Sequence, residues 1–108
     1  MEPCTGHATV TQGIYGIAGY YSDIEPHGYH ASANVSFVVG GTSGTTDRGG
    51  HFHAELPVGD ADLSFGGAVL ALTITAGAVI EIDYIPIPAA SLRIGPTVVG
   101  PMDIATCE

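Results

Sequence analysis

Between Tyr29 and Val39 the side chains alternate, with Tyr29, Ala31, Ala33, Val35, Phe37 and Val39 set against His30, Ser32, Asn34 and Ser36. A period of two puts one set on a buried face and the other in water, which predicts a strand. The alternation returns from His51 to Leu56, where Phe52, Ala54 and Leu56 take the core side, after a Gly/Ser/Thr-rich stretch from Gly40 to Gly50. Two such runs joined by turn residues read as a hairpin with a long, mobile loop, and matching their core faces sets Phe37 opposite Phe52.

The rest of the chain carries the same signal. His7 to Tyr21 is rich in Val, Ile, Thr and Tyr but is broken by Gly13, Gly16 and Gly19, which predicts two short strands or one long bent strand. Leu63 to Ile80 runs for eighteen residues without a charge, long enough to span a membrane as a helix. Gly66, Gly67 and Gly77, the β-favouring Thr73 to Thr75, and the absence of flanking cations argue instead for core strands turning near Ala76 and Gly77. Glu81 and Asp83 then alternate with Ile80, Ile82 and Tyr84, Pro86 and Pro88 end that strand, and a last strand follows from Ser91 to Ile94, resuming from Thr97 to Val99. No window holds a 3.6-residue apolar period, so no helix is expected. The fold class is all-β: one domain over residues 1–108, a small antiparallel barrel or sandwich of about eight short strands.

Composition narrows the partners. Eleven carboxylates face only two cations, Arg48 and Arg93, for a formal charge of −9. A field of that sign repels polyanions, and binding to phosphate backbones needs clustered Lys or Arg, so nucleic acid and anionic membrane surfaces are excluded as partners. Charged residues make up 12% of the chain, so Gly, Thr, Ser and Ala must cover much of the surface, a composition that suits faces covered in a homo-oligomer or complex. The two cysteines, Cys4 and Cys107, stand near the two ends of the chain. Termini often lie together, so these can form a disulfide in an oxidising compartment; the alternative is two free thiols. Met1 to Gly6 holds neither a basic nor an apolar stretch, as expected of a cytoplasmic chain or of a secreted or periplasmic domain whose leader has been removed. The scarcity of cations and the placement of the cysteines favour the second.

Candidate chemistry is sparse. His51, His53 and Glu55 share one face of a strand, and a His-x-His pair is a way to hold Zn, Fe or Mn. The segment resembles the metal motif of the cupin barrels, in which a Gly precedes His-x-His and a Glu follows three or four residues later. Here Glu55 follows His53 after one residue, about 13 Å along the strand from His51, and the core side belongs to Phe52, Ala54 and Leu56. The histidines then face water, and a third ligand must come from His27, His30 or a carboxylate. Asp60, Asp62 and Ser64 have the spacing that opens a calcium loop, but Phe65 stands where that loop needs Gly. Ser43 lacks the setting of a nucleophile elbow. Asp23 with Glu25, or Glu81 with Asp83, are possible acid and base pairs, of a kind that polar turns and strands carry routinely. Asn34, Val35 and Ser36 fit a glycosylation acceptor. Among five tyrosines, Tyr20, Tyr21 and Tyr29 bracket an acidic loop from Ser22 to Gly28 and are the candidate ligand-binding residues.

Three functional readings follow. The first is a non-enzymatic extracytoplasmic module that binds a protein, a glycan or a small apolar ligand, or serves as a structural subunit. The second is a metal-dependent, cupin-like enzyme using His51 and His53. The third is a metal-free barrel isomerase or cyclase, or a small-ligand carrier, which leaves no sequence signature.

Overall fold

The computed structural model describes residues 5–22, 28–87 and 89–107. Among them there is no helix, and hence none long and apolar enough to cross a membrane. Eleven strands form instead: β1 (Gly6–Val10), β2 (Gly13–Ser22), β3 (Gly28–Ala31), β4 (Ser36–Val39), β5 (Thr42–Thr45), β6 (His51–Glu55), β7 (Gly59–Phe65), β8 (Ala68–Ile74), β9 (Ala78–Ile85), β10 (Ser91–Val99) and β11 (Met102–Thr106).

Strand β2 organises the first sheet. One of its edges pairs in parallel with β9, and β10 lies beyond β9. Its other edge is shared, the first half pairing antiparallel with β6 and the second half with β3. At the junction the Ala18 amide donates to the Gly50 carbonyl at 2.7 Å and the Ser32 amide donates to the Ala18 carbonyl at 2.9 Å. Such a close parallel contact leaves no room for a side chain at Gly16, where a Cβ would meet the Ile82 carbonyl and the Phe52 ring.

The second sheet runs β5-β4-β7-β8 and packs face to face on the first. The two sheets make a sandwich and do not close into a barrel; where a barrel would have a lumen, aromatic rings fill the space. Phe65, fully buried, meets Phe37 at 5.3 Å, Phe52 at 5.0 Å and Tyr84 at 4.3 Å between ring centroids. Ile14, Ala18, Ile80 and Ile82 from the first sheet and Val39, Leu63, Leu72 and Ile74 from the second complete this core.

The remaining pair, β1 with β11, joins the two ends of the described chain, Gly6 opposite Thr106. It lies over the outer face of the first sheet, where Val10 and Ile104 bury Val79 in a small second core.

Several sequence expectations need correction. The alternation from Tyr29 to Val39 is two strands in different sheets, because Asn34 adopts a left-handed φ of 58° and turns the chain between them. Thr46 clips that turn: its buried hydroxyl donates to the Ser32 carbonyl at 2.6 Å and accepts from the Val35 amide at 3.0 Å. Tyr29 and Ala31 therefore lie exposed, while Phe37 and Val39 are buried. The stretch read as a mobile loop contains β5, which the positive-φ pair Gly40 and Gly41 folds back onto β4. Phe37 and Phe52 do meet, at 5.5 Å, but across the sandwich and not along a ladder. Asp60 and Asp62 lie on the regular strand β7 and not in a loop, and Asp60 accepts from the Thr73 hydroxyl at 3.1 Å. The long apolar stretch divides into strands with a turn at Ala76 and Gly77, as expected, and with a further turn at Gly66 and Gly67.

The aromatic contacts make Phe65 the most sensitive core position. Phe65→Ala is expected to lower stability by about 3–5 kcal/mol in urea denaturation, whereas Val69→Ala, on the exposed face of β8, is expected to change it by less than about 0.5 kcal/mol.

Candidate functional site

The outer face of the first sheet carries the chemistry. Inward positions of β2, β6 and β9 are apolar, so the alternation sends Tyr15 and Ile17, His51 and His53, and Glu81 and Asp83 outward together. Tyr15 and Glu81 are register partners, as are Ile17 and Asp83, and Arg93 on β10 stands opposite Asp83. The Tyr15 hydroxyl donates to Glu81 Oε2 at 3.3 Å.

Two depressions lie along this face. One, of about 310 Å³, runs between Tyr15, Glu81, Asp83 and His51 on the sheet and the Met102 to Ala105 segment of β11. The other, of about 300 Å³, runs between Tyr21 and Tyr29 on one side and Ile85, Ile87 and Arg93 on the other. Ile17 and Asp83 line both, so the two depressions adjoin at Asp83 and together make the outer-face groove. Gly19 makes the aromatic end possible: a Cβ there would collide with the Tyr29 hydroxyl, whose ring lies across the strand. Tyr21 and Tyr29 pack edge to face at 5.0 Å, and Tyr21 remains 80% exposed. Burial and then the nearby Glu81 carboxylate push the Tyr15 phenol above its ordinary value. Burial and then Asp83 do the same to Tyr29. Both phenols thus keep their protons through the neutral range.

The three tyrosines singled out from sequence, Tyr20, Tyr21 and Tyr29, all line this groove. Tyr20 also stacks on His30, with centroids 5.3 Å apart. Sequence reasoning missed Tyr15, Arg93 and the β11 wall as parts of the same surface; the wet face of β9, with Glu81 and Asp83, was the available signal.

The histidine strand is arranged differently from the metal motif it resembles. His51, His53 and Glu55 do share one outward face, but each has its own surroundings. Glu55 turns to the β1–β2 connection, accepting from the Thr11 amide at 2.6 Å, the Thr11 hydroxyl at 2.9 Å and the Gln12 amide at 3.3 Å. The Thr11 amide, followed by the other donors acting against slight burial, holds the Glu55 carboxyl below its ordinary value. His53 is exposed. His51 Nδ1 lies 3.5 Å from Cys107 Sγ and 3.4 Å from Asp47 Oδ1.

Among the described residues the one group of three or more potential metal donors is Asp47, His51 and Cys107, whose ligand atoms lie within 4.8 Å of one another. Of the expected set it contains only His51. Its donors suit hydrogen bonding better than ion binding. Asp47 Oδ1 already accepts from the Gly49 and His51 amides, both at 2.9 Å, and Oδ2 accepts from the Cys107 amide at 2.6 Å. Cys107 is not a free cysteine, so it lacks the thiolate that a soft ion needs. Cys4, Asp23, Glu25 and His27 lie outside the described residues. Ser43 is exposed on β5, and Asn34 is exposed at its turn.

No family model, curated protein or solved structure matches this chain.

Asp47 ties the loop before β6 to the end of β11, and its charge is what the amides recognise. Burial would raise its pKa, but the Cys107 and His51 amides, His51 itself and the Gly49 amide outweigh burial and hold it below the ordinary value. A carboxyl depressed in the folded state contributes stability above its unfolded pKa of about 3.9, and that contribution is lost as the pH falls through the folded value. Asp47→Asn is therefore expected to lower stability by about 1–3 kcal/mol at neutral pH. The difference from the wild type should begin to shrink as the pH is lowered below about 4 and be lost as the pH falls through the lowered folded value, in a urea-denaturation series; a pH-independent difference would show that the charge is not what matters.

Proposed function

We propose that the chain is a non-enzymatic binding module acting outside the cytoplasm, with its site in the outer-face groove. The supporting observation is the groove itself: exposed aromatic rings and paired hydrogen-bonding groups project from one rigid sheet into two adjoining depressions. Side chains on a hydrogen-bonded sheet are pre-organised, so little ordering cost opposes binding. Tyrosine adds a large contact area with few rotatable bonds and one polar end. An extracytoplasmic setting agrees with the scarcity of cations and with Cys107 not being a free thiol. A disulfide between Cys4 and Cys107 belongs to this proposal, and would anchor β11, one wall of the groove.

A second reading, a metal-dependent enzyme, rests on the approach of His51 Nδ1 to Asp47 Oδ1 at 3.4 Å, with Cys107 contributing no ligand, and has its own test. The third, a barrel enzyme or carrier enclosing its ligand, loses its enclosed space to the rings around Phe65.

The experiment pairs elemental analysis of untagged protein with binding to glycan and peptide arrays. The wild type is compared with the Tyr21→Ala, Tyr29→Ala double variant and the His51→Ala, His53→Ala double variant. The binding-module reading expects one ligand class to be retained by the wild type and its signal to fall at least tenfold in the tyrosine variant. Near-stoichiometric metal that the histidine variant loses, with array signals indifferent to the tyrosines, would overturn it in favour of the enzyme.

A further inference from the structure

Taking the outer-face groove as the binding site, we infer that its ligand is an uncharged glycan chain, stacked on Tyr21 and Tyr29 and hydrogen-bonded at Asp83 and Glu81. Four observations lead there.

The first is shape. From Tyr15 to Tyr21 the two adjoining depressions follow β2 over six residue steps, about 20 Å at the usual rise. Two adjoining depressions over that length offer successive positions to an extended oligomer, more than a single small ring would fill.

The second is the pairing of apolar and polar surface. A pyranose ring has a C–H face that packs on an aromatic ring and a rim of hydroxyls, each both donor and acceptor. Tyr21 offers such a platform: it is 80% exposed, yet its ring is braced against Tyr29 at 5.0 Å. Bracing an exposed aromatic keeps its face available without the entropy cost of fixing it on binding.

The third is the polar inventory. Asp83 stands in register with Arg93, both line the depression that Tyr29 also lines, and Glu81 accepts from the Tyr15 hydroxyl at 3.3 Å. Each carboxylate has oxygens to accept from adjacent hydroxyls while the Tyr29 phenol and the Arg93 guanidinium supply donors, which is the complement a vicinal diol requires.

The fourth is charge. Glu81, Asp83 and Asp103 border the groove of a chain with a formal charge of −9, which disfavours uronates, sulfated sugars and phosphate esters. A cationic peptide is the competing occupant that this field would attract. Against it stands Arg93, one of only two cations in the chain, placed beside the central carboxylate of the groove where it would repel a cationic ligand.

Isothermal titration of the whole chain with defined probes tests this. The probes are hexaoses of β-linked glucose, xylose, mannose and N-acetylglucosamine, their monosaccharides, a galacturonate hexamer, and a lysine-rich peptide of similar length. At least one neutral hexaose should bind, its monosaccharide at least tenfold more weakly. Tyr21→Ala and Asp83→Asn should each weaken the hexaose about tenfold, or ~1.4 kcal/mol. The melting temperature should hold within a few degrees for the exposed Tyr21 and the half-buried Asp83, and Val69→Ser on the other sheet should bind like the wild type. Failure of every neutral hexaose to bind, or preference for the galacturonate, overturns the glycan assignment. Peptide binding weakened by Tyr21→Ala overturns the glycan assignment alone and leaves the groove as the binding site. Hexaose binding indifferent to both Tyr21→Ala and Asp83→Asn overturns the groove reading together with it.

Discussion

Everything else in the molecule depends on how closely β2 and β9 approach. The pair is parallel, and it succeeds because Gly16 presents no side chain to the Ile82 carbonyl. Once these two strands are side by side, their inward residues, Ile14 and Ala18 with Ile80, Ile82 and Tyr84, form a continuous apolar floor for the second sheet. Their outward residues, Tyr15 and Ile17 with Glu81 and Asp83, become neighbours although more than sixty positions separate them in the chain. One ladder thus makes both the core and the groove, and a fault in its register would move carboxylates inward and isoleucines out.

The fold class was legible because alternation survives in the sequence wherever one face is buried. β9 is the clearest case: Glu81 and Asp83 announce a wet face and Ile80, Ile82 and Tyr84 a dry one, and the structure places them so. The same logic sent His51 and His53 outward from Phe52 and Ala54. It failed between Tyr29 and Val39, where the alternation continues unbroken through a turn. Apolar and polar residues keep time there, but Asn34 carries the chain from one sheet to the other. Short strands were hard to see as well. β5 consists of Thr, Ser and Gly, a composition that loops share, and β11 offers only Met102, Ile104 and Ala105 as apolar residues beside Asp103. Counting about eight strands where the described residues form eleven reflects those two gaps and the divided run.

The site was legible only in fragments. Tyr20, Tyr21 and Tyr29 stood out as a group because they are close in sequence, and β2 and β3 are consecutive antiparallel strands. Tyr15, Asp83, Arg93 and the β11 wall join them through a parallel pairing and a ladder between distant strands, and no local pattern encodes either. The histidine strand illustrates the converse. Spacing alone suggested a shared ion, whereas Glu55 is drawn off by the Thr11 and Gln12 amides and His51 by Asp47 and Cys107.

The ladder between β1 and β11 has a consequence for the order of events in folding. It joins residues as far apart as Gly6 and Thr106, so its closure carries the largest loop entropy of any pairing described, in return for only a small satellite core around Val10, Val79 and Ile104. With Cys4 and Cys107 reduced it should then assemble after the sandwich and open before it, as a sub-global unit of low stability, whereas the proposed disulfide would hold it closed. Because β11 is one wall of the groove, that opening amounts to a breathing motion of the site. Amide hydrogen exchange along Met102 to Thr106 would follow it separately from exchange in the Phe65 core, and any occupant touching β11 would slow the first while leaving the second alone.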